Sequence, residues 1–183
     1  MYLFVVAPSI EMKHDLVLIG GQGVGKTSLF RLLQCLIVTD SYMSTISLDM
    51  CCIRRRRDDG ADICFQLWDT PGTRRFQSCI DLIIHKANGI CIVFDTNNDE
   101  SYQEAMDWYK KIDKEKECVL VVNDYSNKWS EWSSTVSKES IPFVVIQNAQ
   151  DVQKPIQYMM DNLNHGSTEI FDKIIASTSS RCF

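Results

Sequence analysis

What the chain lacks narrows it first. Its eight cysteines (35, 51, 52, 64, 79, 91, 118 and 182) include no C-x-x-C pair. His14, His85 and His165 have no partners at ligand spacing, so they read as structural. Most of the cysteines fall in apolar stretches, where a free thiol behaves as a small hydrophobe. That pattern points to a reducing, intracellular protein; a disulfide framework is the other reading. No apolar run is long enough to span a membrane. The opening segment Met1 to Ala7 is apolar but lacks a basic n-region, so no signal peptide is expected. A net charge of −5 argues against a general nucleic-acid binder. No repeat and no linker divides the 183 residues, and 45% of them are hydrophobic, which fits one domain with a core of its own.

What the chain has is a glycine-rich turn, Gly20-Gly21-Gln22-Gly23-Val24-Gly25-Lys26-Thr27, that fits G-x-x-x-x-G-K-S/T. Leu16-Val17-Leu18-Ile19 before it reads as a buried strand. Ser28-Leu29-Phe30-Arg31-Leu32-Leu33 after it has apolar positions at helical spacing. Strand, glycine turn and helix start are the context of a phosphate-binding loop. The N–H groups of the turn and the positive end of the helix face an anion. Lys26 adds a point charge on the outer phosphates, and the Thr27 hydroxyl is placed to ligate Mg²⁺.

Strands and helices then alternate. Ile46 to Ile53 reads as a strand, extended by Arg54 to Arg57. Asp58-Asp59-Gly60 is a hairpin turn, and Ile63 to Trp68 is the returning strand. Gly89 to Phe94, Val119 to Val122 and Phe143 to Ile146 are further buried strands. Asp99 caps a charged helix running to about Lys116, and a last helix covers roughly Val152 to Leu163 with Pro155 in its first turns. This order predicts an α/β fold, a mostly parallel sheet with one antiparallel hairpin. The ligand of such a sheet lies at the carboxyl ends of its strands.

Several blocks resemble a Ras-superfamily small GTPase, and within it the Rab branch. Ser44-Thr45-Ile46-Ser47-Leu48-Asp49-Met50 resembles the Rab switch I segment S-T-I-G-x-D-F. Trp68-Asp69-Thr70-Pro71-Gly72-Thr73-Arg74-Arg75-Phe76 resembles W-D-T-A-G-Q-E-R-F. Asn88 to Asp95, with Asp99-Glu100-Ser101-Tyr102, is similar to the family's fourth strand and D-x-E-S-F helix start. The resemblance covers roughly residues 13–164. It implies a P-loop NTPase fold, a Ras-like six-stranded sheet with helices on both faces. It divides the chain into an extension (1–12), a GTPase domain (13–164) and a tail (165–183); the first residues could equally belong to an alternative start at Met12.

The resemblance also implies GTP or GDP and Mg²⁺ as ligands. Gly21, Gln22, Gly23, Val24, Gly25, Lys26, Thr27 and Ser28 would hold the phosphates. Thr45 would complete a metal site with Thr27 and Asp69, and the Gly72 N–H would touch the γ-phosphate. Asn123, Ser126 and Ala149 occupy the base-binding positions. Lys26 and Thr73 are the catalytic positions.

Four departures from the family pattern cluster in two places. Thr73 replaces the glutamine that orients the attacking water. Asn123-Asp124-Tyr125-Ser126 replaces N-K-x-D, so an uncharged hydroxyl stands for the aspartate that reads guanine, and the Asp124 carboxylate for the lysine stem over the base. Val38, seven residues before Thr45, replaces a stacking aromatic. Asn148-Ala149-Gln150 replaces S-A-K. A hydrogen bond to a charged group contributes about 1.5–3 kcal/mol, so loss of the aspartate alone weakens guanine binding roughly ten- to hundred-fold. Gln22 also replaces a small loop residue where side chains obstruct water and arginine fingers. The expected outcome is an intact phosphate half, an eroded base half and slow hydrolysis.

Arg54 to Arg57 is a basic run on the expected edge strand, read as edge protection or as a docking site for an acidic partner or lipid headgroup. Met50 and Trp68 match two of the three apolar residues by which Rab proteins present effectors with a surface patch; the third place falls at Ile83 or Ile84, without an aromatic. Trp129 and Trp132 lie in the polar stretch 126–140 and are expected to fold back on the core. Cys182 is not in a C-a-a-X position, so membrane association is expected to be weak or indirect. Two functions remain at this point. One is a Rab-like switch in vesicle traffic, cytoplasmic or peripheral on endomembranes, with effector and regulator proteins on its two switch segments. The other is a pseudo-GTPase scaffold.

Overall fold

The computed structural model describes residues 12–38, 44–57, 60 and 62–163. The expected extension up to residue 11, the turn residues Asp58 and Asp59, His165, Cys182 and the tail lie outside the described residues.

Each buried strand is apolar on both sides, because helices cover both faces of the sheet. In β1 (Met12–Gly20) Leu16 and Leu18 point to one face while Val17 and Ile19 point to the other. In β4 (Gly89–Asp95) Cys91 and Val93 share the first face, and Ile90, Ile92 and Phe94 the second. In β5 (Glu117–Asn123) Val119 and Val121 oppose Leu120 and Val122 in the same way. The first face is closed by α1 (Lys26–Leu33) and α5 (Lys154–Asn162), through Leu29, Phe30, Leu33, Ile156 and Met159. The second is closed by α2 (Gln77–Lys86), α3 (Asp99–Lys111) and α4 (Trp129–Val136), through Ile80, Ile84, Tyr102, Ala105, Met106 and Val136.

With β2 (Asp49–Arg56), β3 (Asp62–Asp69) and β6 (Phe143–Ile146), the sheet has six strands in the order β2-β3-β1-β4-β5-β6. Only the β2–β3 pair is antiparallel. This is the mostly parallel, six-stranded α/β fold with helices on both faces, as the sequence predicts. The carboxyl ends of β1, β3 and β5 bring Gly20, Asp69 and Asn123 to one rim, which is where the glycine turn sits.

Five local expectations need correction. The strand expected from Ile46 begins at Asp49, and Ile46 and Leu48 stay exposed. Its partner strand ends at Asp69, opposite Asp49, and Pro71 follows, which has no N–H to extend the ladder. The charged helix is capped by Asn98, whose side chain accepts from the Ser101 N–H, and not by Asp99. It stops at Lys111 because Ile112 leaves the helix in extended conformation and is buried. The last helix is split: a 3-10 turn over Ala149–Gln153 precedes α5, with Pro155 in the first α-turn, where its missing N–H is no loss. The polar stretch around Trp129 contains a helix, α4, that its composition hid. Trp132 does fold onto the core, 5.4 Å from Phe94 and 5.0 Å from Tyr102 by ring centroids, and its Nε1 donates to the Thr96 carbonyl.

The fifth correction concerns the cysteines. Cys52 and Cys64 are joined across β2 and β3, with Cα atoms 6.2 Å apart. The register places them diagonally on one face, since Cys64 lies opposite Arg54. The hairpin creates that proximity, and no C-x-x-C spacing announces it. Cys35, Cys51, Cys79, Cys91 and Cys118 are free thiols, and burial pushes Cys51 up to about 11.

Arg54, Arg55 and Arg56 of the arginine run lie on the edge strand β2, as expected, and Arg57 follows its end. The pleat divides the run: Arg55 reaches across to Gln153 Oε1 at 2.6 Å. Among the described residues no helix is long and apolar enough to cross a membrane.

Candidate functional site

The turn after β1 wraps back on itself and opens into α1. Gly25, the residue before the helix, has φ of +95°, and a Cβ there would come within 2.5 Å of Asn123 Nδ2. A side chain at this position would therefore meet both backbone strain and a steric block. The space is used: Asn123 Nδ2 donates to the Val24 carbonyl at 2.9 Å, tying the end of β5 to the loop. Val24 is buried, whereas Gln22 and Gly23 are exposed.

Lys26 begins α1 and is only 5% exposed. Its Nζ donates to the carbonyls of Gly20 and Gly21, at 2.9 and 2.6 Å. Burial lowers its pKa to about 8, with the nearby carboxylates of Asp69 and Glu104 opposing the shift. Glu104 is a neighbour that the sequence reading missed. It lies on α3, far away in the chain, and no local pattern could point to it.

Three oxygens meet beside Lys26. The Thr27 hydroxyl donates to Asp69 Oδ2 at 2.6 Å and lies 2.8 Å from the Thr45 hydroxyl. The other carboxylate oxygen, Asp69 Oδ1, is buried without a hydrogen-bond partner. Burial raises the Asp69 pKa, against the Thr27 hydrogen bond and the Lys26 charge. An all-oxygen set with an orphaned carboxylate oxygen suits a hard cation such as Mg²⁺.

Gly72 closes the site from the side of β3. A Cβ there would meet the Gln22 Cα at 2.5 Å and the Gln22 nitrogen at 2.6 Å. The chain leaving β3 thus rests directly on the glycine-rich loop. Thr73 follows, and its hydroxyl is buried with no hydrogen-bond partner. Thr73 carries no amide and stands at a cleft of about 280 Å³ that Gly21, Gln77, Glu104 and Trp108 also line.

The base half looks different. A cavity of about 430 Å³ is lined by Gly25, Ser28, Leu29, Val38, Asn123, Tyr125 and Ala149, with Leu32, Val93, Val121, Ile146 and Val152 as its floor. Ser126 is exposed and 3.3 Å from the Thr96 hydroxyl; it does not line the cavity. Asp124 does not take the place of the lysine stem over the base, as the sequence suggested. It is fully buried and turned inward. Its carboxylate accepts from Thr96 Oγ1 at 2.8 Å, the Lys128 N–H at 2.7 Å and Gln147 Nε2 at 2.9 Å. Burial opposes its ionisation, yet these hydrogen bonds prevail and hold its pKa below the usual carboxylate value. Thr96 and Gln147 are thus structural members of the site that sequence reading did not single out.

The apolar patch is also changed. Met50 is 44% exposed and directly opposite Trp68. Ile84 is buried and Ile83 packs partly on the core, so the third place offers little surface.

Comparison with known proteins agrees with this geometry. The family model described as Ras family matches residues 15–170. The Ras-related protein RABD2a of Arabidopsis thaliana is 36% identical over 107 residues, covering 58% of this chain and 52% of the relative. The GTP-binding protein YPTM2 of Zea mays is 37% identical over the same length and shares. The chain thus spans about half the length of the curated relatives it matches. With a phosphate-loop motif and a Ras-type sheet inside one continuous match, the chain belongs to the Ras family and resembles Rab and YPT members of it.

Proposed function

We propose that this chain is a GTP- and GDP-binding switch acting with Mg²⁺ in vesicle traffic, and that it hydrolyses GTP slowly. The observation that carries the reading is the meeting of Thr27, Thr45 and Asp69 beside Lys26. These residues come from α1, the segment before β2, and β3, three places far apart in the chain. Mg²⁺ bound among them would neutralise charge on phosphate oxygens. Thr27 and Thr45 would offer hydroxyl oxygens and Asp69 its unpartnered carboxylate oxygen. Lys26 would exchange the loop carbonyls for phosphate oxygens and stay charged on doing so.

Slow hydrolysis follows from Thr73. The reaction needs a positioned water and charge stabilisation on the transferring group. Lys26 supplies charge, but Thr73 has one short hydroxyl and no amide. Partner proteins would meet the exposed Ile46, Leu48 and Met50 of the first switch segment and β2. A second reading, a scaffold that does not cycle nucleotide, draws support from the missing acid in the base cavity.

The test is the nucleotide content of the purified protein, read by chromatography after denaturation, with titration of GTP on wild type and Lys26→Ala. Bound GTP or GDP that Lys26→Ala loses supports the switch. No bound nucleotide and no binding on titration supports the scaffold.

A further inference from the structure

The inward turn of Asp124 has a consequence for the next residue. Asn123 ends β5, and Asp124 and Tyr125 lie just beyond it, Tyr125 in a turn. Asn123 faces the cavity, Asp124 faces the interior, and Tyr125 faces the cavity again. Asp124 is not free to turn back. Its N–H donates to the Ile146 carbonyl at 2.8 Å, and its two carboxylate oxygens hold Thr96, Lys128 and Gln147. Gln147 further donates to Asn127 Oδ1 at 3.2 Å, and Asn127 has φ of +59°. The backbone on either side of Tyr125 is held, at Asp124 and at Asn127, and this places Tyr125 along the cavity.

The wall that Tyr125 joins is short of other means to recognise a base. Val38, at the position of the family's stacking ring, lines the cavity without a ring. The Asn123 amide nitrogen already gives one of its two hydrogens to the Val24 carbonyl. Among the described residues lining the cavity there is no carboxylate. The Tyr125 ring is 53% exposed and is the only aromatic among them. A volume of about 430 Å³ is in the usual range for a small-molecule site.

We propose that Tyr125 grips the nucleobase by stacking its ring on it, and that the cavity therefore accepts purine nucleotides with little preference for guanine over adenine. This rests on the proposed nucleotide site and names its specificity. An aromatic face stacks on any base, because every base has a π-face, whereas edge hydrogen bonds distinguish one base from another. The phenol hydroxyl is not needed for stacking, so Phe preserves the function and Ala removes it.

The experiment is calorimetric titration of GTP, ATP and inorganic tripolyphosphate, each with Mg²⁺, on wild type, Tyr125→Phe, Tyr125→Leu and Tyr125→Ala. Wild type is expected to bind GTP and ATP within roughly tenfold of each other. Tyr125→Ala and Tyr125→Leu should weaken both nucleotides by about tenfold or more and leave tripolyphosphate unchanged. Tyr125→Phe should bind like wild type. Unchanged nucleotide affinity in Tyr125→Ala overturns the proposal, and so does a wild-type preference for GTP above roughly a thousandfold. Equal losses of nucleotide and tripolyphosphate also overturn it, because the residue would then support the loop and not the base. If wild type fails to bind tripolyphosphate and both nucleotides, the nucleotide reading itself falls, and this proposal with it.

Discussion

The Thr27 hydroxyl donates to Asp69 Oδ2 at 2.6 Å, across 42 positions of the chain. The two residues meet because β1 and β3 run parallel and in register, Leu18 beside Asp69. β1 ends in the phosphate loop, and β3 ends at Asp69, just before Pro71 and Gly72. A parallel sheet thus delivers a hydroxyl and a carboxylate to the same rim without either being near the other in sequence.

Chelating the metal should weaken nucleotide affinity by roughly tenfold or more, which is about 1.4 kcal/mol. Asp69→Asn, which keeps the shape and removes the charge, should abolish that difference. The measurement is nucleotide affinity with Mg²⁺ and with excess chelator. Equal affinities in wild type would show that the oxygen cluster does not hold a metal.

Lys26 gives a pH dependence whose sign can be worked out. Its pKa in the free protein is lowered to about 8, and beside a triphosphate it must be charged. Below pH 8 the ammonium is ready for the anion. Above pH 8 binding has to take up a proton, so affinity should fall, by up to about tenfold per pH unit. Lys26→Ala should bind weakly with no step near pH 8. A wild-type affinity that is flat from pH 7 to pH 9 would contradict this.

Thr73→Gln should raise the single-turnover rate of GTP hydrolysis by about tenfold, close to 1.4 kcal/mol of barrier, because an amide can orient water. The exposed Gln22 stands next to Gly72, so its effect is tested in the same assay. If Thr73→Gln alone changes nothing and Thr73→Gln with Gln22→Gly is faster, the phosphate loop is the block. A rate unchanged in both variants, at preserved affinity, would assign slow turnover to neither residue.

His14 should make the protein acid-sensitive. It is 8% exposed, its ring is tilted on Phe65, and neither ring nitrogen has a hydrogen-bond partner. Burial lowers its pKa below 6.5, with Asp15 opposing. A lowered pKa means that the unfolded chain binds the proton first, so stability is lost as pH falls from 6.5 through the folded-state value. His14→Leu should flatten this acid limb. Between pH 7.5 and pH 5 its melting temperature should drop less than that of wild type, by roughly 2–4 °C. Parallel curves for the two proteins would show that His14 does not titrate across the transition.

Some of this molecule was legible from contiguous residues. The phosphate loop is one unbroken stretch, and its glycines, lysine and threonine have fixed local tasks, so Gly20 to Thr27 could be read directly. The buried strands were legible too, because apolar runs such as Val119 to Val122 are bounded by polar neighbours. The helix at Trp129 was not, because its buried face amounts to little more than Val136 and two tryptophans.

What lay beyond the sequence was decided by contacts between distant segments. Asp124 could be read only as a carboxylate near the base; its true direction depends on Thr96 and Gln147, from two other strand ends. The Cys52–Cys64 link depends on the hairpin register, and the electrostatic influence of Glu104 on Lys26 on how α3 packs. A side chain at a strand end has two faces to choose between, and sequence spacing alone does not select one. The choice falls to whichever face offers hydrogen-bond partners to a buried charge, and only the folded sheet brings those partners together.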